Sequence, residues 1–198
     1  MMFKKIKFST PLFVLLIIAT FLFTACSKDD DACTPDLTLQ VETANTTEVS
    51  VTQANVYTDI IINAPAGKVW SVLRNFDNMP NWSSSLQGIT GNISNGGSVV
   101  VKFDLGNGQV ADISHSSFIY QEGVLFGWSD EVTIFPGIVD NHRYRVEAIS
   151  DCQTRFIQTD EFIGTTAGTT PIAIADQVIG VYKTFNLELK AEVENKKQ

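Results

Sequence analysis

From Leu86 to Gly164 the chain is cut into short alternating runs by Asn95-Gly96-Gly97, Gly106-Asn107-Gly108, Glu122-Gly123, Pro136-Gly137 and Ser150-Asp151. The one long helical pattern comes only after the last of them. Residues of this kind tolerate positive φ and suit hairpin turns, so six strands joined antiparallel in sequence order are expected. Ahead of them Val56 to Asn63 is β-rich, with Ile60 and Ile62 on one face and Asp59, Ile61 and Asn63 on the other. Ala64-Pro65 stops that strand, and proline suits the first turn of a helix. Val69, Trp70, Val72, Leu73 and Phe76 then recur at helical spacing, a second brief helical turn ends at Trp82, and Ser83-Ser84-Ser85 is a loop. At the far end Thr169-Thr170-Pro171 offers an N-cap and a first-turn proline. Ile174, Val178, Tyr182, Phe185 and Leu189 follow at intervals of three or four, so one amphipathic helix covers Ile172 to about Asn195.

The first 25 residues stand apart. Met1 to Lys7 is basic, Pro11 to Phe23 is apolar, and Thr24-Ala25 supplies small residues, the pattern of a removable secretory signal. The apolar stretch is shorter than the roughly 20 residues of a spanning helix. Phe23-Thr24-Ala25-Cys26 resembles the lipobox of bacterial lipoproteins, which implies lipidation of Cys26 and a bilayer anchor of buried acyl chains. Ser27-Lys28-Asp29-Asp30-Asp31 lacks an aspartate at the position after the cysteine and resembles an export signal of some Gram-negative lipoproteins. This reads as the cell envelope, at the outer membrane, with the periplasmic and surface faces both open. From Ser27 to Asn55 there is no Phe, Trp or Tyr, a linker composition. Residues 26–55 are thus expected to be a flexible tether of about 30 Å reach and 56–196 the folded domain, although the alternation of Val49 and Val51 allows an earlier first strand. Removal of the leader leaves 11 basic and 22 acidic side chains, a balance that excludes phosphate-backbone binding as a function.

Strand, two short helices, six meandering strands and a closing helix match the helix-grip fold, an α+β class. In it a curved seven-stranded antiparallel sheet wraps the last helix and a cavity remains between them. Ile60-Ile61-Ile62-Asn63-Ala64-Pro65-Ala66-Gly67-Lys68-Val69-Trp70-Ser71-Val72-Leu73 and Phe76-Asp77-Asn78-Met79-Pro80-Asn81-Trp82 resemble the opening of the SRPBCC superfamily. That superfamily holds the START-like, polyketide cyclase/dehydrase and birch-pollen-allergen-like proteins. Ile89-Thr90-Gly91, Phe126-Gly127-Trp128, His142-Arg143-Tyr144, Thr154-Arg155-Phe156 and Asp160-Glu161-Phe162-Ile163-Gly164 fall where its later strands are expected. The resemblance covers roughly Val56 to Glu194 and implies the fold more than any chemistry.

Strand parity gives an inward set: Val99, Val101 and Phe103; Phe126 and Trp128; His142, Tyr144 and Val146; Phe156, Gln158, Asp160 and Phe162. Trp82 and the helix face of Ile174, Val178, Tyr182 and Phe185 complete a mostly apolar chamber. The expected ligand-binding residues are Trp82, Phe103, Trp128, His142, Tyr144, Phe156, Phe162, Val178 and Tyr182. His142, Asp160 and Tyr144 are the candidates for proton transfer, although a hydrogen-bonded core histidine is the simpler reading of His142. The parity of His115, opposite to that of Asp112, Ser114 and Phe118, leaves its side open. Two isolated histidines with no cysteine or carboxylate at ligand spacing make no metal site, and no nucleophile elbow, phosphate loop or dinucleotide fingerprint implies a cofactor. Outside the cytoplasm Cys33 and Cys152 could pair, closing a loop that stabilises by about 4 kcal/mol. Against it, Cys33 lies in the tether and Cys152 in a turn.

Three functions fit these observations. A membrane-tethered module that binds a hydrophobic small molecule or lipid is the first. A cyclase, aromatase or dehydrase-like enzyme using the same chamber is the second, and an interaction module with a filled interior is the third. No heptad or apolar strip assigns an oligomeric state.

Overall fold

The computed structural model describes residues 34–39, 42–106, 109–131 and 133–195. The leader, Cys26, the acidic run behind it and Cys33 lie outside these residues. Among the described residues the chain forms β1 (Glu42–Ser50), β2 (Gln53–Ile62), α1 (Ala66–Leu73), a 3₁₀ turn (Phe76–Asn81), β3 (Leu86–Gly91), β4 (Val99–Asp104) and β5 (Val110–His115). It continues through β6 (Phe118–Gln121), β7 (Leu125–Trp128), β8 (Asp130–Glu131), β9 (Ile138–Asp140), β10 (Arg143–Ser150), β11 (Gln153–Gly164) and α2 (Pro171–Asn195). No helix among them is long and apolar enough to cross a membrane.

The main sheet runs β1, β2, β11, β10, β7, β6, with β8 and β9 extending it beside β11, and β3, β4 and β5 form a second sheet. Backbone bonds from Gly96 N–H to Phe118 O (2.7 Å) and from Phe118 N–H to Gly97 O (2.9 Å) tie the two together. α2 packs on β2, β11 and β1, and α1 packs on α2. The helix-grip architecture is therefore as expected, with more strand segments than seven.

Part of that excess is two interrupted strands. Gly127 pairs with Arg143 and Asp130 with Asp140 in one frame, so β7 and β8 are one strand broken at Ser129. Asp140 pairs with Phe162 and Arg143 with Thr159 in one frame, so β9 and β10 are one strand broken at Asn141-His142. Another part is β1, which corrects the expected tether over 26–55: Glu42–Ser50 pairs antiparallel with β2, from Glu42 opposite Ile60 to Ser50 opposite Gln53. A polar, threonine-rich edge strand has the composition of a linker, because an edge exposes most of its side chains while its backbone pairs.

Cys152 is disulfide-bonded, and Cys26 and Cys33, the other cysteines of the chain, both fall outside the described residues. The neighbouring side chain reinforces that point: Asp36 N–H donates to Gln153 Oε1 (2.8 Å), and Gln153 Nε2 donates to Asp36 O (3.2 Å) and Asn63 Oδ1 (3.0 Å). The turn between β10 and β11 thus holds the segment leading to β1.

Between sheet and helix the space is filled unequally. At one end Phe118, Phe126, Tyr144, Phe156 and Phe185 are buried in one cluster with Trp70, Phe76 and Leu189. Tyr144 is stacked on Phe126 with ring centres 4.8 Å apart, and Phe76 meets Phe126 edge-on at 5.2 Å. Gly127 permits the close approach of β7 and β10 there, since a Cβ at this position would stand 1.9 Å from His142 O.

Candidate functional site

The other end holds a cavity of about 480 Å³. Phe103 and Ile113 from the small sheet, Trp128 and Phe162 from the main sheet, Phe135 from the β8–β9 loop and Val178 and Tyr182 from α2 are among its walls. Leu105, Ile134 and Val181 line it while exposed to solvent, which marks its mouth. Its buried polar lining includes His115, Asp140 and His142, and Ser84, Ser85, Asp104, Gln177 and Thr184 line it as well.

Register explains why these groups meet. Trp128 N–H donates to His142 O at 3.0 Å, and the frame that pairs Asp140 with Phe162 and Arg143 with Thr159 puts His142 opposite Asp160. Trp128, His142 and Asp160 therefore form one cross-strand row, all buried. His142 Nε2 lies 3.1 Å from Gln158 Oε1. The Gln158 amide nitrogen donates to Tyr182 O (3.0 Å) and Asn186 Oδ1 (2.6 Å), and Asn186 Nδ2 donates to Thr58 Oγ1 (3.1 Å). Since the Gln158 nitrogen is committed to two acceptors, its oxygen faces His142 and Nε2 carries the ring hydrogen. The bare Nδ1 is directed at Asp160 Oδ2, 3.7 Å away.

Asp160 Oδ2 also accepts from Tyr182 OH at 2.5 Å, and Asp140 Oδ2 accepts from Trp128 Nε1 at 3.1 Å. The other oxygen of each acid, Oδ1, is buried with no donor. Burial pulls the His142 imidazole down to about 3, so it is neutral at physiological pH. Burial, and then the Asp140 charge beside it, hold the Asp160 carboxyl well above the usual carboxylate range, and burial raises Asp140 too. The two carboxyls stand close enough that each shifts the other. Burial likewise raises the Tyr182 and Tyr144 hydroxyls well above the usual phenol range.

A second dyad stands on the same wall. His115 Nδ1 is 2.7 Å from Asp130 Oδ1, and Asp130 Oδ2 already accepts from Ser116 N–H (2.5 Å) and Ser117 N–H (3.3 Å). In the neutral ring the hydrogen therefore sits on Nδ1 and the lone pair on Nε2. That Nε2 is buried without a partner, and the ring stacks on Trp128 at 4.5 Å.

Of the nine expected ligand-binding residues, Phe103, Trp128, His142, Phe162, Val178 and Tyr182 line the cavity. Trp82, Tyr144 and Phe156 do not. Trp82 packs on Phe185 (5.2 Å), Tyr144 is stacked between Phe126 and His142 (4.3 Å), and Phe156 is fully buried beside Phe185 (6.0 Å). Their bulk fills the opposite end, so they shape the cavity without touching its space. His142 and Asp160 do meet, while Tyr144 reaches only the ring of His142. The expectation that no carboxylate stands at ligand spacing from a histidine is corrected: ligand atoms of Asp140, His142 and Asp160 all lie within 4.8 Å of one another. Asp140 and His142 stand two residues apart on one interrupted strand, and only the register with β11 brings Asp160 to them. Asp130, Asp140 and the inward side of His115 were also missed, although Asp140 shares the parity of His142.

No curated protein matches the chain. Among solved structures it is similar to the ZhuI aromatase/cyclase from Streptomyces sp. R1128, with 14% identity, a TM-score of 0.56 and coverage of 73% of this chain and 95% of that one. It is similar in the same degree to a START superfamily protein from Mycobacterium smegmatis, with 14% identity, a TM-score of 0.56 and coverage of 72% and 99%. A norcoclaurine synthase point mutant from Thalictrum flavum, crystallised with a transition-state analogue, matches at 14% identity and a TM-score of 0.54, over 76% of this chain and all of that one. At such identities these likenesses speak for the SRPBCC-type fold alone. The model of the polyketide cyclase/dehydrase and lipid transport family, however, matches residues 53–194, from the start of β2 to the end of α2, and to that family this chain belongs.

Proposed function

We propose that the domain binds a hydrophobic small molecule or lipid in the cavity, without transforming it, close to the membrane that Cys26 anchors it to. The cavity carries this reading. Its volume of about 480 Å³ falls within the range of small-molecule sites, roughly 300–1,000 Å³. Apolar walls meet a few polar groups at one side, the division that burial of a greasy ligand with one oriented polar end requires. The leader and Cys26 support the anchor, and a disulfide at Cys152 suits an oxidising compartment outside the cytoplasm.

Native mass spectrometry of the purified full chain, followed by organic extraction, tests the proposal. The expected result is a stoichiometric apolar molecule released from the protein. A bare polypeptide that also takes up no fluorescent fatty acid overturns it in favour of an interaction module.

One observation favours a second reading, an enzyme of the cyclase or dehydrase kind, and it is the His115–Asp130 dyad. A carboxylate orients an imidazole that lines the cavity and whose Nε2 has no partner, the arrangement of a general base. His142, Tyr144 and Asp160 suit that role less well, since Tyr144 lies outside the cavity. Under the enzyme reading His115→Ala abolishes conversion of the extracted molecule while retaining its binding. Under the carrier reading the molecule is recovered unchanged from both proteins.

A further inference from the structure

We propose that Asp140, His142 and Asp160 form a binding site for one divalent transition-metal ion, with a coordination position open to the cavity. One ligand atom from each residue lies within 4.8 Å of the others. A metal with bonds of about 2.1 Å spans about 4.2 Å between opposite ligands, so His142 Nδ1 and Asp160 Oδ2, at 3.7 Å, need no rearrangement and the third ligand needs little. The two acids also point to a ligand independently of their clustering. Asp160 is 1% exposed and Asp140 9% exposed, and each keeps a buried Oδ1 that accepts from no donor. A buried carboxylate oxygen without a partner is costly, and coordination to a cation removes that cost.

Hydrogen bonds from neighbouring side chains hold each of the three in place. His142 Nε2 donates to Gln158 Oε1, Asp160 Oδ2 accepts from Tyr182 OH, and Asp140 Oδ2 accepts from Trp128 Nε1. This is the support that orients metal ligands and fixes the histidine tautomer. The charges balance as well, since two carboxylates and a neutral imidazole leave a dication uncharged overall. One nitrogen and two carboxylate groups are too few oxygens for calcium, which takes about 6–8, and suit zinc, manganese or iron(II). Because Asp140 and His142 line the cavity, the open position faces it, and an oxygen of a bound molecule can complete the shell.

The test is a titration of the purified, chelator-treated full chain with zinc chloride at neutral pH, and with cobalt(II) chloride for its visible spectrum. The expected result is one equivalent of zinc per chain, protons released on binding, and cobalt bands of a low-coordinate N/O site. Asp160→Asn and His142→Gln should each weaken zinc at least about tenfold. Tyr182→Phe, which removes only a brace, should weaken it less while leaving the fold intact. Failure to bind zinc or cobalt saturably overturns the site, as does undiminished binding by folded Asp160→Asn and His142→Gln. Should either variant fail to fold, undiminished binding by Tyr182→Phe together with a cobalt spectrum of six-coordinate hydrated ion overturns it. Whether an apolar molecule is recovered from the cavity does not enter the measurement, so failure here leaves the carrier reading standing.

Discussion

The two ends of the space between α2 and the sheet are built from the same strands and answer differently. Along the inward positions of β11, Phe156 belongs to the packed aromatic cluster, while Gln158 and Asp160, two and four residues on, belong to the polar network beside the cavity. One end is filled by rings, the other is held open by hydrogen bonds. The architecture supplies a curved sheet and a gripped helix, and the side chains at alternating positions decide where it stays hollow. An interior polar network of this kind costs stability unless every partner is satisfied, so its presence beside a cavity points to use and not to packing.

That contrast can be broken most sharply at the filled end. Phe126→Ala, at the centre of the stacked rings, should cost about 3–5 kcal/mol in urea unfolding; a loss under about 1 kcal/mol would show that this end is no better packed than the other. Gln158→Leu removes the acceptor of His142 Nε2 and the donor to Asn186, and should cost about 1–3 kcal/mol by the same measurement.

The pH response separates the network from the ring cluster. His142, at about 3 in the fold against about 6.5 unfolded, binds fewer protons folded than unfolded in that window. Its contribution is intact above pH 6.5 and is lost as pH falls. Asp160 is raised in the fold, so its contribution is present at low pH and is lost as pH rises above the unfolded value of about 3.9. Asp140 is raised as well, so both acids oppose the histidine, and melting in metal-free buffer should fall less from pH 6.5 to 5 than the histidine alone would make it. Asp160→Asn removes the larger part of the opposing gain, and that variant should lose more stability than the parent over the same interval; an unchanged profile would mean that His142 is not held neutral by burial.

The smallest stability effect belongs to the hollow end. Val178→Trp projects a ring into free volume, and should shift stability by about 1 kcal/mol or less while abolishing uptake of a fluorescent fatty acid. Unchanged uptake would move the ligand site elsewhere.

The long helix, the order of elements and the inward parity of β4, β7, β10 and β11 could be read from periodicity because each follows from local burial. The meeting of His142 with Asp160 was also within reach: they stand nine residues either side of Asp151, the turn residue between β10 and β11, and the observed register keeps that symmetry. Likewise Val99 and His115 stand eight residues either side of Asn107 and pair in the β4–β5 ladder, which would have turned His115 inward. What could not be read is most of β1, at whose end only Val49 and Val51 hint at a strand and the polar run before them carries no hydrophobic period, and the partition of aromatics. Trp82, Tyr144 and Phe156 share the size and parity of true wall residues, and only three-dimensional packing separates those that fill from those that line.

The cavity is roofed by α2, the last of the described elements, which packs on β1 and β2. Thr58 and Asn186, and Thr46 and Asp176, are bonded across 128 and 130 residues of chain. Contacts so distant in sequence form late, because the intervening loop must be closed first. The chamber is therefore complete only once the 25 residues of α2 dock, and until then nothing closes the cavity over a ligand.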